Sequence, residues 1–324
     1  MAKPTAWAFP ANLQPDPARV GFDLAAALDA VVMLKCEAPE DAFTASVLGT
    51  ERVGSGVVIR DDGLILTIGY LITEASSVWI TANNGRVVQG HPLAYDQASG
   101  LGLVLPLGRL GLPALARGTV QSVSVDDEVF FIGHGGREHA LRAKCVGKRE
   151  FAGYWEYVLD EALFTAPAHP QWGGAALVGA DGRLLGIGSL LVQEALAGQE
   201  MQGNMVVPID LLAPIYEDLL RTGRAGYPPR PWLGAYVTEF KDHLVIGGLA
   251  DGGPAARAGL KVGDVVLEVG GRKPATLAAV FRRIWALGAA GVEVPFVLAR
   301  DRERIEIVVR SADRNDFLKK PQLH

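Results

Sequence analysis

Cysteine is nearly absent from this sequence: Cys36 and Cys145 are the only two among 324 residues. That excludes a disulfide-stapled scaffold, and two cysteines in a chain of this size read as buried free thiols. Neither they nor His134, His139 and His169 sit at a metal-ligand spacing such as Cys-x-x-Cys or His-Glu-x-x-His. No metal, thiol site or cofactor is therefore expected. Lysines and arginines never form a long run and the formal net charge is −5, which argues against nucleic acid as a partner. Long apolar runs are missing too. The longest near the start, Leu24 to Cys36, is broken by Asp29 and Lys35 and cannot span a bilayer, so no membrane role is expected. The first ten residues hold one basic residue, Lys3, and no apolar stretch of signal-peptide length. Read as a whole chain, the sequence is expected in the cytoplasm; read as a trimmed piece, in the periplasm.

What is present describes a folded protein, with 49% hydrophobic and 21% charged residues. Residues 1–22 form a Pro-rich arm with Trp7 and Phe9, either a loosely packed terminus or a segment whose aromatics dock on a neighbouring subunit. From Ala30 to Leu115 short β runs alternate with turn signals such as Asp61-Asp62-Gly63 and Asn83-Asn84-Gly85. A second set of β runs extends from Glu128 to Val207. Two successive all-β units without intervening helices predict paired barrels. Asp210 offers an N-cap to a helix carrying Leu211, Leu212, Ile215, Tyr216, Leu219 and Leu220, with Pro214 in its first turn. Residues 224–230 read as a Gly/Pro linker. A small unit of strands and one strong helix, Leu277 to Leu287, follows over 231–311, and 312–324 read as a polar, frayed tail.

One more absence is local. No serine lies between Ser124 and Ser189. Within that gap, Pro170-Gln171-Trp172-Gly173-Gly174-Ala175-Ala176-Leu177 resembles the nucleophile loop of trypsin-fold serine proteases. Gly54-Ser55-Gly56-Val57-Val58-Ile59, Asp62-Gly63 and Leu66-Thr67 resemble the opening strands of one branch of that fold, the HtrA family. The resemblance covers nearly the whole chain. It implies a mainly β protein: a trypsin-like double β-barrel over residues 23–223, followed by a small α+β PDZ domain. It also locates the catalytic positions. The histidine falls on Tyr70, the aspartate on Gly100 and the serine on Gly173, and the glycine that donates an oxyanion N–H on Gln171. All three triad roles are then empty. Asp96, four residues before Gly100, reads as a turn residue. Trp172 either fills the emptied pocket or forms an aromatic platform with Tyr70.

In the second unit, Pro254-Ala255-Ala256-Arg257-Ala258-Gly259-Leu260-Lys261-Val262-Gly263-Asp264-Val265-Val266 resembles the family's PDZ signature. Trp232, Leu233, Gly234 and Ala235 look like the loop that holds a peptide C-terminus, and Val237 lies on the strand that pairs with the peptide. Arg282 and Arg283 either favour acidic ligands or face solvent. The expected function is a catalytically inactive HtrA-like pseudoprotease that binds peptide or protein C-termini, with assembly into a homo-oligomer such as a trimer as a further expectation. The alternatives are a serine-type endopeptidase-like enzyme with an unconventional site and a structural subunit regulating active homologues.

Overall fold

The protein is described by a computed structural model covering residues 7–196 and 199–320. The first six residues of the expected arm and the last four of the expected tail lie outside the described residues. The chain falls into two compact units. One comprises the described residues of Met1–Arg149, Glu161–Ala225 and Lys319–His324; the other comprises Glu150–Asp160 and Gly226–Leu318.

The first unit begins with helix α1 (Leu24–Asp29), capped by the Asp23 carboxylate accepting from the Ala26 N–H. Six strands then close a barrel in the order β1-β2-β3-β6-β5-β4. They are β1 (Val31–Glu37), β2 (Glu51–Val58), β3 (Ile65–Ile68), β4 (Ser77–Thr81), β5 (Val87–Tyr95) and β6 (Leu101–Pro106), with the short helix α2 (Ala45–Leu48) between β1 and β2. A second closed barrel runs β10-β11-β12-β9-β8-β7. Its strands are β7 (Glu128–Ile132), β8 (Ala140–Gly153), β9 (Tyr157–Ala166), β10 (Ala176–Val178), β11 (Leu184–Leu196) and β12 (Gln199–Pro208). Val31, Leu34, Ile65 and Leu103 are fully buried in the first barrel, and Phe131, Leu141, Leu163 and Leu177 in the second. Closure pairs the strands of each barrel on both sides, while β11 and β12 run on past the second barrel as a hairpin paired to each other.

The described part of the N-terminal arm packs on its own chain. The Phe9 N–H donates to the Glu138 carbonyl at 2.9 Å, and the Trp7 ring lies edge-on to His139 at 4.5 Å. The helix expected from an Asp210 cap starts later, as α3 (Tyr216–Thr222), preceded by a 3₁₀ turn over Ile209–Leu211. Pro214 cannot donate to a helical ladder and crowds the carbonyl four residues back. The Asp210 carboxylate is used elsewhere, accepting from the Thr119 hydroxyl at 2.6 Å and the Val120 N–H at 2.8 Å.

In the second unit a five-stranded antiparallel sheet has the order β13-β14-β15-β16-β17. Its strands are β13 (Ala235–Phe240), β14 (His243–Leu249), β15 (Val265–Val269), β16 (Glu293–Arg300) and β17 (Glu303–Arg310). Helix α4 (Pro254–Arg257) opens on proline, whose missing N–H costs nothing at that position. Helix α5 (Leu277–Trp285) is capped by the Thr276 hydroxyl and buries Ala278, Val280, Phe281 and Ile284 against the sheet. The tail is not frayed at its start. The Phe317 ring lies 4.8 Å from Trp232, and Trp232 and Ala312 exchange backbone hydrogen bonds at 3.0 Å. An aromatic side chain with a partner to cover it outweighs the polar residues around it.

Candidate functional site

Two places in the chain hold the positions singled out by sequence, one in each unit. In the first unit, Tyr70 sits in a 3₁₀ turn over Gly69–Leu71 directly after β3. Its hydroxyl donates to the Ser189 carbonyl at 2.9 Å and is hydrogen-bonded by the Trp172 side chain. Burial pushes the phenol pKa far above its ordinary value, with the Trp172 bond opposing. A phenol held neutral in this way cannot serve as a general base near neutral pH. Gly173 lies under the same ring: a Cβ there would come within 2.8 Å of the Tyr70 hydroxyl. The Tyr70 oxygen thus occupies the space a side chain at 173 would enter. Gly100 adopts φ +79 just before β6, and its carbonyl accepts from the Gly69 N–H at 2.7 Å. Tyr70, Gly100 and Gly173 are therefore neighbours, and together they supply no base, carboxylate or nucleophile. Asp96 makes the expected turn, accepting from the Ser99 N–H at 2.8 Å. Tyr70→Phe should cost about 1–2 kcal/mol, because the inward Ser189 carbonyl loses its donor; thermal unfolding measures it.

The N–H at the position that the resemblance gives to the oxyanion donor also has a partner within the chain. Gln171 points its N–H at His169 Nδ1, 3.0 Å away. Since Nδ1 accepts, the ring proton is on Nε2, which donates to the His139 carbonyl at 2.9 Å. Burial lowers the His169 pKa to about 4, so the ring is neutral and this arrangement holds through the physiological range. The Gly174 N–H is likewise spent on the Gly188 carbonyl at 2.9 Å. Trp172 packs against the core of the second barrel. The Ser55 hydroxyl lies 3.4 Å from His134 Nδ1 and accepts from the His134 N–H at 3.2 Å, but Ser55 is fully buried and presents no nucleophile to solvent.

In the second unit the loop before β13 faces a carboxylate. Glu156 Oε1 accepts from the N–H groups of Leu233 at 3.1 Å, Gly234 at 2.6 Å and Ala235 at 3.1 Å, and Oε2 accepts from Leu233 at 3.0 Å. The Val237 N–H donates to the Tyr154 carbonyl at 3.2 Å. Leu233, Gly234, Ala235 and Val237 are thus gathered around one hairpin tip. Trp232 is not: its N–H is used by Ala312, and its ring supports the loop from Phe317. Burial raises the Glu156 pKa to about 7 against the pull of the loop N–H groups and Arg314. Arg282 on α5 pairs with Glu150 and Asp160, the two ends of the same hairpin segment.

Sequence reading missed Glu156 and Tyr154. The available signal was a turn of the wrong composition. Tyr154-Trp155-Glu156 connects β8 to β9 with no glycine, proline or asparagine, and Glu156 takes φ +63. In a three-residue hairpin loop the left-handed position is ordinarily glycine.

A six-stranded barrel pair followed by a PDZ-shaped sheet defines a class, the trypsin-fold proteins that carry a PDZ domain. Comparison agrees: a family model described as a trypsin-like peptidase domain matches residues 54–187, and a PDZ domain model matches residues 245–300. The chain is similar to HtrA-type serine endoproteases, the family its motifs resemble. It is 26% identical over 280 residues to a probable periplasmic serine endoprotease, DegP-like, of Halomonas elongata, covering 82% of this chain and 58% of that relative's length. It is also 26% identical over 235 residues to the serine endoprotease DegS of Haemophilus influenzae, covering 68% of this chain and 66% of the relative. The solved HtrA-type protease AlgW with decapeptide shares the fold, with a TM-score of 0.54 at 19% identity over 93% of this chain and 100% of that one. The expectation of a cytoplasmic protein is corrected here: DegP-like relatives are named as periplasmic enzymes. The absence of an apolar run at an N-terminus does not by itself fix a compartment.

Proposed function

We propose that this protein is a non-hydrolysing member of the HtrA-like proteins that acts by binding carboxyl-bearing peptide segments through its PDZ loop. The observation that carries the reading is the convergence of the Leu233, Gly234 and Ala235 N–H groups on one carboxylate. Such a nest of backbone donors is the usual means of capturing a chain terminus. The loss of hydrolysis is supported by the Tyr70 hydroxyl over Gly173 and by the Gln171 N–H being spent on His169. Without a nucleophile and with the oxyanion donor committed, neither step of acyl transfer has its catalyst. That relatives are named serine endoproteases and that AlgW was solved with a decapeptide fit a fold whose binding half is retained here.

A fluorophosphonate probe and casein hydrolysis test the catalytic half. No covalent adduct and no hydrolysis above buffer are expected, whereas stoichiometric labelling at any serine overturns it. Assembly into a homo-oligomer, or regulation of active homologues, belongs to the same proposal; mass by light scattering with and without residues 1–22 addresses it.

A further inference from the structure

We infer that the Tyr154–Glu156 turn is an internal ligand of the PDZ loop, so that an outside C-terminal peptide binds only by displacing it. The inference rests on the reading of residues 233–235 as a peptide-carboxylate site. An extended C-terminal peptide offers such a site two things: a terminal carboxylate for the backbone nest, and earlier carbonyls for the adjoining strand. The turn offers both. Glu156 places its side-chain carboxylate against three successive N–H groups, and Tyr154, two residues earlier, gives its carbonyl to Val237 on β13. One set of donors cannot serve two carboxylates at once, so occupancy by the turn and by a peptide exclude each other.

Three further observations show that the turn is built for this place. Glu156 is only 5% exposed and holds φ +63, a conformation that costs a residue with a Cβ energy and is normally given to glycine. A carboxylate is therefore kept where turn chemistry alone would choose another residue. Val158, just past the turn, lies in the core cluster of the second unit with Val237, Phe281 and Ile284. Arg282 bridges Glu150 and Asp160, so helix α5 grips both sides of the segment. The acidic partner of Arg282 is thus supplied by the chain itself.

The consequence is a reserve of binding capacity. Only molecules with the turn displaced accept a peptide, and the apparent affinity falls by that fraction. The test uses the full chain as wild type, Glu156→Gly and Glu156→Gln. Glycine suits φ +63 and so removes the carboxylate while relieving the turn, and glutamine keeps the shape and removes only the charge. Two readouts are taken: hydrogen–deuterium exchange over residues 231–238, and binding to an array of C-terminal decapeptides with free and with amidated ends. The inference expects faster exchange in Glu156→Gly and binding of free-ended peptides on the order of 10-fold tighter or more than wild type, with Glu156→Gln between them. Unchanged exchange over 231–238 overturns the internal ligand. Faster exchange with equal peptide affinity in wild type and Glu156→Gly overturns the competition but leaves the peptide site standing. Faster exchange with no peptide bound by any form upholds the occupied loop and overturns the peptide-binding function itself.

Discussion

Gly174→Ala is expected to lower the melting temperature of the barrel unit by about 8–16 °C, or to leave the protein insoluble. Gly174 has φ +78, which costs alanine roughly 1–2 kcal/mol. The larger effect is steric. A Cβ at 174 would lie 1.8 Å from the Ser55 carbonyl oxygen and 2.5 Å from the Thr67 hydroxyl. Those two atoms are themselves bonded, Thr67 Oγ1 donating to the Ser55 carbonyl at 2.7 Å, and Ser55 is fully buried. Relief would have to part the 172–175 loop from β2, breaking the Ser55 N–H to Gly173 carbonyl bond as well. Overpacking against immovable backbone adds about 1–3 kcal/mol or more, for a total near 4 kcal/mol. Gly85 provides the control: it has φ +83 in the Ala82–Arg86 turn, yet a Cβ there meets nothing within 4 Å, so Gly85→Ala should cost only about 1–2 kcal/mol. If both variants melt alike, the close approach of the loop to β2 is wrong. The comparison separates shape from chemistry in this loop, whose glycine is held by packing although no nucleophile stands beside it.

How much of this was legible in the sequence depended on distance along the chain. The β runs and their turn signals are local patterns that predict paired barrels, and the Pro254–Val266 stretch is a local motif whose resemblance to the family's signature implies the PDZ domain. The resemblance sets the oxyanion position on Gln171, but not that its N–H turns to His169, because that depends on Asn204 fixing the His169 backbone and the His139 carbonyl holding its ring. Asp210 was misread as a helix cap because its partners, Thr119 and Val120, lie about ninety residues earlier. Glu156 was invisible for the same reason. Its partners at 233–235 are 77–79 residues on, and nothing in a single glutamate announces that three distant N–H groups will converge on it. Local pattern specifies elements; the use of a polar side chain is decided by tertiary neighbours.

Arg300→Leu should destabilise the PDZ unit by about 3 kcal/mol at neutral pH, the usual cost of orphaning a buried charge. Asp264 is 1% exposed and is held from three directions: Arg300 Nε at 2.7 Å, Arg300 Nη2 at 2.8 Å and the Lys261 N–H at 2.8 Å. The same guanidinium donates to the Gly259 carbonyl at 2.8 Å, tying the Ala258–Asp264 turn to β16. Burial alone would raise the Asp264 pKa, but the Arg300 hydrogen bonds and the Lys261 N–H outweigh it and hold it below the ordinary 3.8. The sign of the pH dependence follows. A carboxyl with a lowered folded pKa contributes stability that is full above the ordinary value and is lost as pH falls through the folded one. Wild type should therefore hold its stability from pH 7 to about 4 with respect to this pair and weaken only below. In Arg300→Leu the partner is gone and burial dominates, so the orphaned carboxyl prefers its proton. The gap between variant and wild type should then narrow on acidification from pH 7 to 4, and Asp264→Asn in the Arg300→Leu background should restore part of the loss at pH 7. Urea unfolding followed at Trp232 and Trp285, both in this unit, reads all three proteins. A gap that stays constant with pH, or a double variant no more stable than Arg300→Leu, means that Arg300 acts through packing alone and that the Gly263-Asp264 turn is not held by charge.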